Sequence, residues 1–96
     1  MTVRRLSPAE EEYIASVAFY VAESPQAADG FADEVESAID EIAQSPTRYP
    51  IYEENVRRKV LDVFPFSIYY VTENDEVMIV AIMHNSRRPK YWRERL

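Results

Sequence analysis

Apolar positions follow a helical spacing in the first half of the chain and strand-like runs in the second. Residues 8–23 carry an apolar stripe at positions i, i+3, i+4 and i+7, and residues 25–44 carry a second apolar stripe, which predicts two helices packed through those stripes. The stripe residues expected in the core are Ile14, Val17, Ala18 and Val21 in the first helix, and Phe31, Val35, Ile39 and Ile42 in the second. Ser24-Pro25 separates the helices, because proline cannot continue one helix but suits the opening turn of the next. The pattern predicts a helical hairpin with a very short connection.

Local signals support both helices. Ser7 is expected to cap the first, with Pro8 at the first helical position and Glu10 completing a capping box. Gly30 lies inside the second helix, where glycine costs about 1 kcal/mol relative to alanine. This cost predicts that Gly30 allows close packing against the first helix.

The second half of the chain predicts a β-hairpin. Residues 67–72 and 77–83 are rich in Tyr, Ile and Val, and the Glu-Asn-Asp-Glu segment 73–76 between them suits a turn. Because residues 77–83 are apolar at every position, they predict the central strand of a sheet, covered on both faces.

Shorter segments complete the predicted fold. Residues 2–6 and 56–63 are expected to be strands, the first at an edge, and residues 47–55 a loop. Pro89 is expected to open a last short helix or turn. The predicted class is α+β: one domain, residues 1–96, with an N-terminal strand and a helical hairpin packed on a mainly antiparallel sheet of about four strands.

Composition excludes several classes of function. The 96 residues contain no cysteine, which excludes disulfides, thiolate metal sites and cysteine nucleophiles. A single histidine without cysteine does not predict a metal site, and the single glycine excludes a glycine-rich phosphate loop. No apolar run reaches the length of a membrane span and no basic-then-apolar leader opens the chain. We therefore expect a cytoplasmic protein with no cofactor, no metal and no membrane partner.

Charge is distributed unevenly along the chain. Residues 1–55 carry three basic and twelve acidic side chains, a net charge of −9, and residues 56–96 carry eight basic and five acidic, a net charge of +3. A basic face on an acidic body can meet an anionic patch of another molecule. The alternative is that the charges of both halves are simply solvated.

A basic and aromatic segment follows the predicted central strand. Arginine, tyrosine and tryptophan dominate binding hot spots, so the expected target-binding residues are Arg57, Arg58, Arg87, Arg88, Tyr91 and Trp92. Trp92 can alternatively fold back on the sheet as a lid. His84 is either a general base near neutral pH or a structural group at the end of a buried strand.

These motifs together resemble the ParE/RelE family of toxins from bacterial type II toxin–antitoxin modules, over nearly the whole chain. The resemblance lies in Tyr20, Ser24-Pro25, Ala28, Phe31, Ser45-Pro46, Arg57-Arg58, the segment 64–70 (FPFSIYY) and the segment 81–92 (AIMHNSRRPKYW). It implies a small toxin held inactive by an antitoxin whose extended C-terminal segment wraps it.

The family has two kinds of activity. ParE-like members poison DNA gyrase as inhibitory proteins, without chemistry of their own, whereas RelE-like members cut mRNA in the ribosomal A site. Cleavage needs a base for the 2′-hydroxyl proton, an acid for the leaving oxygen and cations for the phosphate.

This chain departs from the RelE-like pattern. The two cation positions of the second strand match Arg58 and Val60, and the arginine that opens the next strand is replaced by Ser67. After the last strand the nearest match is Ser86, followed by Arg87 and Arg88, and Tyr91 or Trp92 falls near the tyrosine position. If the chain is a nuclease, the resemblance and His84 make the candidate catalytic residues Arg58, His84, Arg87 and Tyr91.

The sequence therefore predicts a ParE-like toxin that arrests growth by binding DNA gyrase and is neutralised by a cognate antitoxin. The first alternative is a RelE-like, ribosome-dependent mRNA endonuclease whose target is the ribosome and its mRNA. The second is an inactive, toxin-derived binding domain.

Overall fold

Two helices pack on one face of a five-stranded sheet in the computed structural model, which describes residues 1–87 and 91–96. The elements are β1 (Thr2–Arg5), α1 (Ser7–Glu23), α2 (Pro25–Gln44), β2 (Ile51–Glu53), β3 (Val56–Val60), β4 (Phe66–Glu73), β5 (Glu76–His84) and a C-terminal 3₁₀ helix (Tyr91–Arg95). The predicted α+β class and both helices are confirmed. No helix in the described part of the chain is long and apolar enough to cross a membrane.

The sheet differs from the prediction in size and order. Its strand order is β1-β5-β4-β3-β2, with β1 parallel to β5 and all other pairs antiparallel. The prediction of about four strands was too low, because β2 lies within the segment 47–55 that was expected to be a loop. The central strand is β4, so the prediction that residues 77–83 form the central strand was wrong. Strand β5 is nevertheless paired on both sides, by β4 and β1. The helical hairpin connects β1 at one edge of the sheet to β2 at the opposite edge. The predicted edge position of β1 is confirmed.

A bulge in β5 explains why that strand is apolar at every position. Tyr69 pairs with Ala81 and Tyr70 pairs with Ile79, so Val80 is an extra residue in β5. The extra residue resets the alternation of faces. As a result Ile79 packs toward the helices, whereas Val80 packs on the opposite face, and both are fully buried.

The face that α1 buries is not the predicted one. Its buried residues are Ala9 and Tyr13, with Val17 and Tyr20 packed partly against the same core. The Tyr13 and Tyr20 rings lie 6.0 and 5.1 Å from the ring of Phe31, and aromatic rings bury more area than the aliphatic side chains they exclude. The predicted core positions Ile14, Ala18 and Val21 lie outside.

In α2 the predicted stripe is correct, because its four stripe residues are all buried. Ser24 caps this helix by accepting a hydrogen bond from the Ala27 N–H at 3.0 Å. The expected Ser7 cap of α1 is absent: the N-cap is Leu6, whose side chain makes no capping bond.

Two further local predictions have different outcomes. The turn between β4 and β5 consists of Asn74 and Asp75, both in the left-handed region with φ of 52° and 60°, which confirms the predicted turn. Gly30, however, lies beside Phe64 rather than α1, since an added Cβ would meet that ring at 3.6 Å.

Strand β3 ends earlier than predicted because α2 holds the segment after it. The Glu34 carboxylate accepts hydrogen bonds from the backbone N–H groups of Asp62, Val63 and Phe64, the shortest at 2.9 Å. These N–H groups are therefore unavailable to a sheet partner, and the strand stops at Val60 instead of residue 63.

Candidate target-binding surface

The sheet face opposite the helices carries a basic and aromatic cluster. Arg58 projects from β3 over the ring of Tyr52 in β2, with its guanidinium carbon 4.7 Å from the ring centroid. Trp92 contacts both tyrosines of this face, with ring centroids 6.4 Å from Tyr52 and 5.7 Å from Tyr69. We call Tyr52, Arg58, Tyr69 and Trp92 the aromatic–arginine cluster.

Trp92 is the lid of this face. It is 1% exposed and belongs to the hydrophobic cluster formed by Val56, Tyr69 and Met83 with their neighbours. In this conformation Trp92 packs on the sheet and is inaccessible. It would have to leave the core to make the predicted contact with a target.

The C-terminal 3₁₀ helix keeps Trp92 in place through its arginines. Arg93 Nε donates to Glu53 of β2 at 3.0 Å, and Arg95 donates to Glu12 of α1 and to the Val80 carbonyl oxygen. The helix is therefore fixed at both ends, on β2 and on α1.

A small hollow opens beside Arg58. Its volume is about 220 Å³, and its lining is formed by Tyr52, Arg58, Val60, Tyr69, Met83, Asn85 and Arg87. Sites for small organic ligands usually measure roughly 300–1,000 Å³, so this hollow suits one side chain or one phosphate group of a larger partner.

Tyr69, one of the two tyrosines that line the hollow, has a shifted pKa. Desolvation raises the pKa of Tyr69, and the neighbouring Arg58, which hydrogen-bonds to it, partly opposes that rise. A tyrosine of ordinary pKa, near 10, is already neutral at physiological pH, and the raised pKa keeps Tyr69 a neutral hydrogen-bonding group. The positive charge of the hollow comes from Arg58 and Arg87.

The other basic residues of β3 face away from this cluster. Arg57 Nη1 donates to the carbonyl oxygens of Thr47 and Tyr49, at 3.2 and 2.6 Å. Lys59 lies 3.4 Å from a carboxylate oxygen of Glu41. Arg57 therefore binds the loop before β2, and Lys59 pairs with α2. Arg57, which was predicted to bind a target, makes structural hydrogen bonds in this fold.

His84 lies at the end of β5, on the helix side of the sheet. Its ring contacts Phe66 with centroids 5.2 Å apart, and its Nδ1 accepts a hydrogen bond from the Ser86 N–H at 3.0 Å. It lines a groove of about 460 Å³ between α1 and the end of β5, together with Phe19 and Arg87.

The nuclease candidates with described side chains are Arg58, His84 and Arg87, and these three do not line one common site. Arg58 and Arg87 line the hollow, whereas His84 and Arg87 line the groove on the other side of the sheet. Arg88 lies outside the described residues, as does the side chain of Tyr91. Among the described residues, no group of histidine and carboxylate side chains could hold a metal ion.

Two residues of the surface were missed by the sequence analysis. Tyr52 was placed in the loop 47–55, and Asn85 was noted only as part of the segment 81–92 of the family resemblance. Asn85 Oδ1 accepts a hydrogen bond from the hydroxyl of Ser67 at 2.6 Å, which fixes it at the rim of the hollow. Recognition of β2 would have identified Tyr52, because the residue pairs Ile51–Arg57 and Glu53–Val56 place it beside β3.

Comparison with known proteins gives a consistent match. Residues 3–89 match the sequence model of a family described as "ParE toxin of type II toxin-antitoxin system, parDE". A solved structure described as "Chromosomal ParDE TA system from P. aeruginosa" contains a chain of the same fold, with a TM-score of 0.77 and 20% sequence identity. The match covers 88% of this chain and 95% of that one. A search of curated proteins found no significant match.

Proposed function

The chain belongs to the ParE toxin family of type II toxin–antitoxin systems, and from this premise we propose that it arrests growth by binding DNA gyrase and is neutralised by a cognate antitoxin. The action proposed is inhibitory binding, without bond cleavage by the toxin itself.

The observation that carries the proposal is the separation of Arg58 from His84. A nuclease needs its base, its acid and its cations around one phosphate. Arg58 lines the hollow on one face of the sheet, whereas His84 lines the groove on the other. The second cation position of β3 is Val60, 47% exposed in its place. This arrangement supports recognition of a surface over acid–base chemistry.

Ser67 supports the same interpretation. At the position where RelE-like members have an arginine, its side chain is fully buried and donates to Asn85. Serine carries no charge, so Ser67 cannot replace the arginine that would stabilise negative charge on a phosphate in the transition state. Ser67 therefore has a structural role at this position.

Neutralisation by an antitoxin is supported by the apolar area that the described chain leaves exposed. Phe19 is 61% exposed, and it borders the groove of about 460 Å³ between α1 and the end of β5. A segment that folds on binding can cover such a groove. The chain should then co-purify with the small protein encoded beside it and unfold at a higher temperature in that complex, as ligands of the native state require.

The activity is tested with the purified chain in two assays. Supercoiling by purified DNA gyrase should be inhibited, and mRNA on translating ribosomes should remain intact. If a large excess of the chain leaves supercoiling intact, while the same chain arrests growth when it is expressed in cells, gyrase is not the target.

The second candidate function is cleavage of ribosome-bound mRNA. It is favoured by one observation, that Arg58 and Arg87 line the same phosphate-sized hollow. Cut transcripts in the ribosome assay, lost on Arg58→Ala, would establish this function and exclude the first.

A further inference from the structure

The hollow beside Arg58 carries positive charge without a carboxylate in its lining. Of the seven described residues that line it, Arg58 and Arg87 are cations and none is acidic. Glu53, which follows Tyr52 in β2, is paired with Arg93 instead. An anion that enters the hollow therefore meets two guanidinium groups and no negative charge of the lining.

The fold leaves the donor group of Asn85 available at the rim of this hollow. Asn85 Oδ1 accepts a hydrogen bond from the Ser67 hydroxyl at 2.6 Å, and Ser67 is fully buried. Because the amide oxygen is used in this way, the side-chain NH2 group remains to donate to a ligand. The neutral hydroxyl of Tyr69 can donate as well. The polar groups of the hollow are therefore suited to bind an acceptor.

These donors suit a phosphate group better than a carboxylate. They come from three segments of the chain: Arg58 from β3, Tyr69 from β4, and Asn85 with Arg87 from the residues after β5. A phosphate group has four oxygens in a tetrahedron and can accept hydrogen bonds from several directions, whereas a carboxylate is planar and has two. The planar fork of arginine also matches the geometry of phosphate oxygens.

The size of the hollow indicates that the rest of the ligand lies outside it. Its volume of about 220 Å³ is below the roughly 300–1,000 Å³ of sites that enclose a small organic molecule. Tyr69 is 3% exposed, and the Arg58 guanidinium lies over the ring of Tyr52 where a base would stack. The hollow can therefore hold a phosphate without its base, which is how proteins contact the backbone of a nucleic acid.

We propose that the hollow binds one backbone phosphate of DNA without cleaving it, so that the toxin recognises gyrase together with the DNA that gyrase holds. The choice of DNA rests on the proposed function, whereas the phosphate site rests on the hollow. Residues 1–55 carry a net charge of −9 and oppose binding to DNA alone. We therefore expect weak binding to free DNA and tighter binding to the complex of gyrase with DNA.

The site is tested first with inorganic phosphate and with acetate, followed by the backbone NMR signals of the lining residues in the full chain. Phosphate should bind at least about tenfold tighter than acetate, and Arg58→Ala should weaken phosphate binding at least about tenfold. Asn85→Asp should abolish it, because aspartate keeps an acceptor for Ser67 but replaces the NH2 donor with negative charge. Arg48→Ala is the matched control: it removes the same charge from an exposed residue outside the hollow and should change nothing.

The DNA is tested by measuring the affinity of the chain for gyrase with and without duplex DNA. DNA should tighten binding at least about tenfold, since one charge-assisted contact is added. The logarithm of this gain should fall with the logarithm of salt concentration with a slope of about −0.9, the value for one phosphate. Arg58→Ala should lose the gain and its salt dependence, whereas Arg48→Ala should keep both. The base sequence of the duplex should have no effect.

Several results would overturn the inference. Equal binding of phosphate and acetate would assign the hollow to an acidic side chain of a protein, and equal effects of Arg58→Ala and Arg48→Ala would remove the hollow as the site. Tighter binding of the free chain to single-stranded RNA than to duplex DNA would overturn the choice of DNA. Binding to gyrase that DNA does not change would overturn this inference and leave the proposed function intact. Phosphate binding by a chain that gyrase does not bind would confirm the site and overturn the proposed function.

Discussion

Arg95 and Glu12 form a two-pronged ion pair that joins the C-terminal 3₁₀ helix to α1. The two guanidinium nitrogens of Arg95 lie 2.9 and 3.0 Å from the carboxylate oxygens of Glu12. The same groups also reach the edge of β5, where Arg95 donates to the Val80 carbonyl oxygen and Glu12 accepts from the Ile82 N–H. This edge begins where the pairing of β1 with β5 ends, so the ion pair protects a strand edge that would otherwise attract another chain.

Loss of Arg95 should therefore destabilise the fold. Both side chains are mostly buried, with 16% and 13% of their area exposed, so Arg95→Ala leaves a buried carboxylate without its cation. We expect the free energy of unfolding to fall by about 1–3 kcal/mol, measured by urea denaturation. Arg4→Ala is the control. Arg4 and its partner Glu76 are 59% and 34% exposed, and a pair of this kind contributes at most about 1 kcal/mol. Equal losses in the two variants would contradict the role assigned to Arg95.

Alkaline pH should destabilise the protein through its buried tyrosines. Burial raises the pKa of Tyr70 to about 12, with a further rise from Tyr49 and an opposing effect of Arg57. Burial likewise raises the pKa of Tyr13 to about 12. A tyrosine in the unfolded chain ionises near pH 10. The stability that Tyr13 and Tyr70 each contribute to the folded state is therefore complete below about pH 10 and is lost as pH rises toward about 12.

The expected slope can be measured by urea denaturation at several pH values. Stability should fall between about pH 10 and about pH 12, by at most about 1.4 kcal/mol per pH unit for each tyrosine. Tyr70→Phe should show a shallower fall, although it starts lower because it loses the hydrogen bond from the Tyr70 hydroxyl to the Pro46 carbonyl oxygen. An unchanged slope in Tyr70→Phe would show that Tyr70 does not contribute to the pH dependence.

Gly30→Ala should stabilise the protein. The added methyl group would lie 3.6 Å from the Phe64 ring, an ordinary contact distance that requires no movement. Glycine inside a helix is roughly 0.5–1 kcal/mol less favourable than alanine, and we expect a gain of that size in thermal or urea unfolding. A destabilised alanine variant would show that the backbone at this position requires glycine.

Growth arrest should depend on the two arginines that follow β5 in the sequence and not on His84. Replacing Arg87 and Arg88 together by alanine should reduce arrest strongly, because charge-assisted contacts contribute about 1.5–3 kcal/mol each. His84→Gln should change it little if the fold survives. Each variant is expressed in cells while DNA breaks and transcript cleavage are measured.

The opposite order of effects would identify a nuclease. Loss of a positioned base typically costs about 100- to 10,000-fold in rate. Arrest that survives the double arginine change but disappears in His84→Gln, together with cut transcripts, would overturn inhibitory binding as the mechanism. Circular dichroism of each purified variant controls for loss of structure.

Local chemistry was sufficient to predict the helices and the hairpin of this protein. Pro25 ends one helix and opens the next by its own covalent geometry, and Asn74 with Asp75 tolerates the left-handed backbone that a two-residue turn requires. These signals act within a few residues, so the sequence contains them in full. The family resemblance likewise depended on short motifs that can be recognised without knowledge of their contacts.

Tertiary structure decided which apolar face of α1 is buried. Periodicity identifies a stripe, but α1 has two, and the choice between Ile14 and Tyr13 depends on the fit of the tyrosine ring against Phe31 of the other helix. Strand β2 was missed for a similar reason, because a three-residue strand exists only through its pairing with β3.

The candidate surface was likewise decided by the fold. The sequence placed Arg57 and Arg58 side by side, and alternation along β3 sends them to opposite faces, where one holds a loop and the other covers Tyr52. Arg58, Tyr69 and Trp92 are distant in sequence and meet because β3, β4 and the C-terminal 3₁₀ helix share one side of the sheet. Contacts of this range depend on strand order and on the bulge at Val80, and neither is specified by residues that are adjacent in the chain.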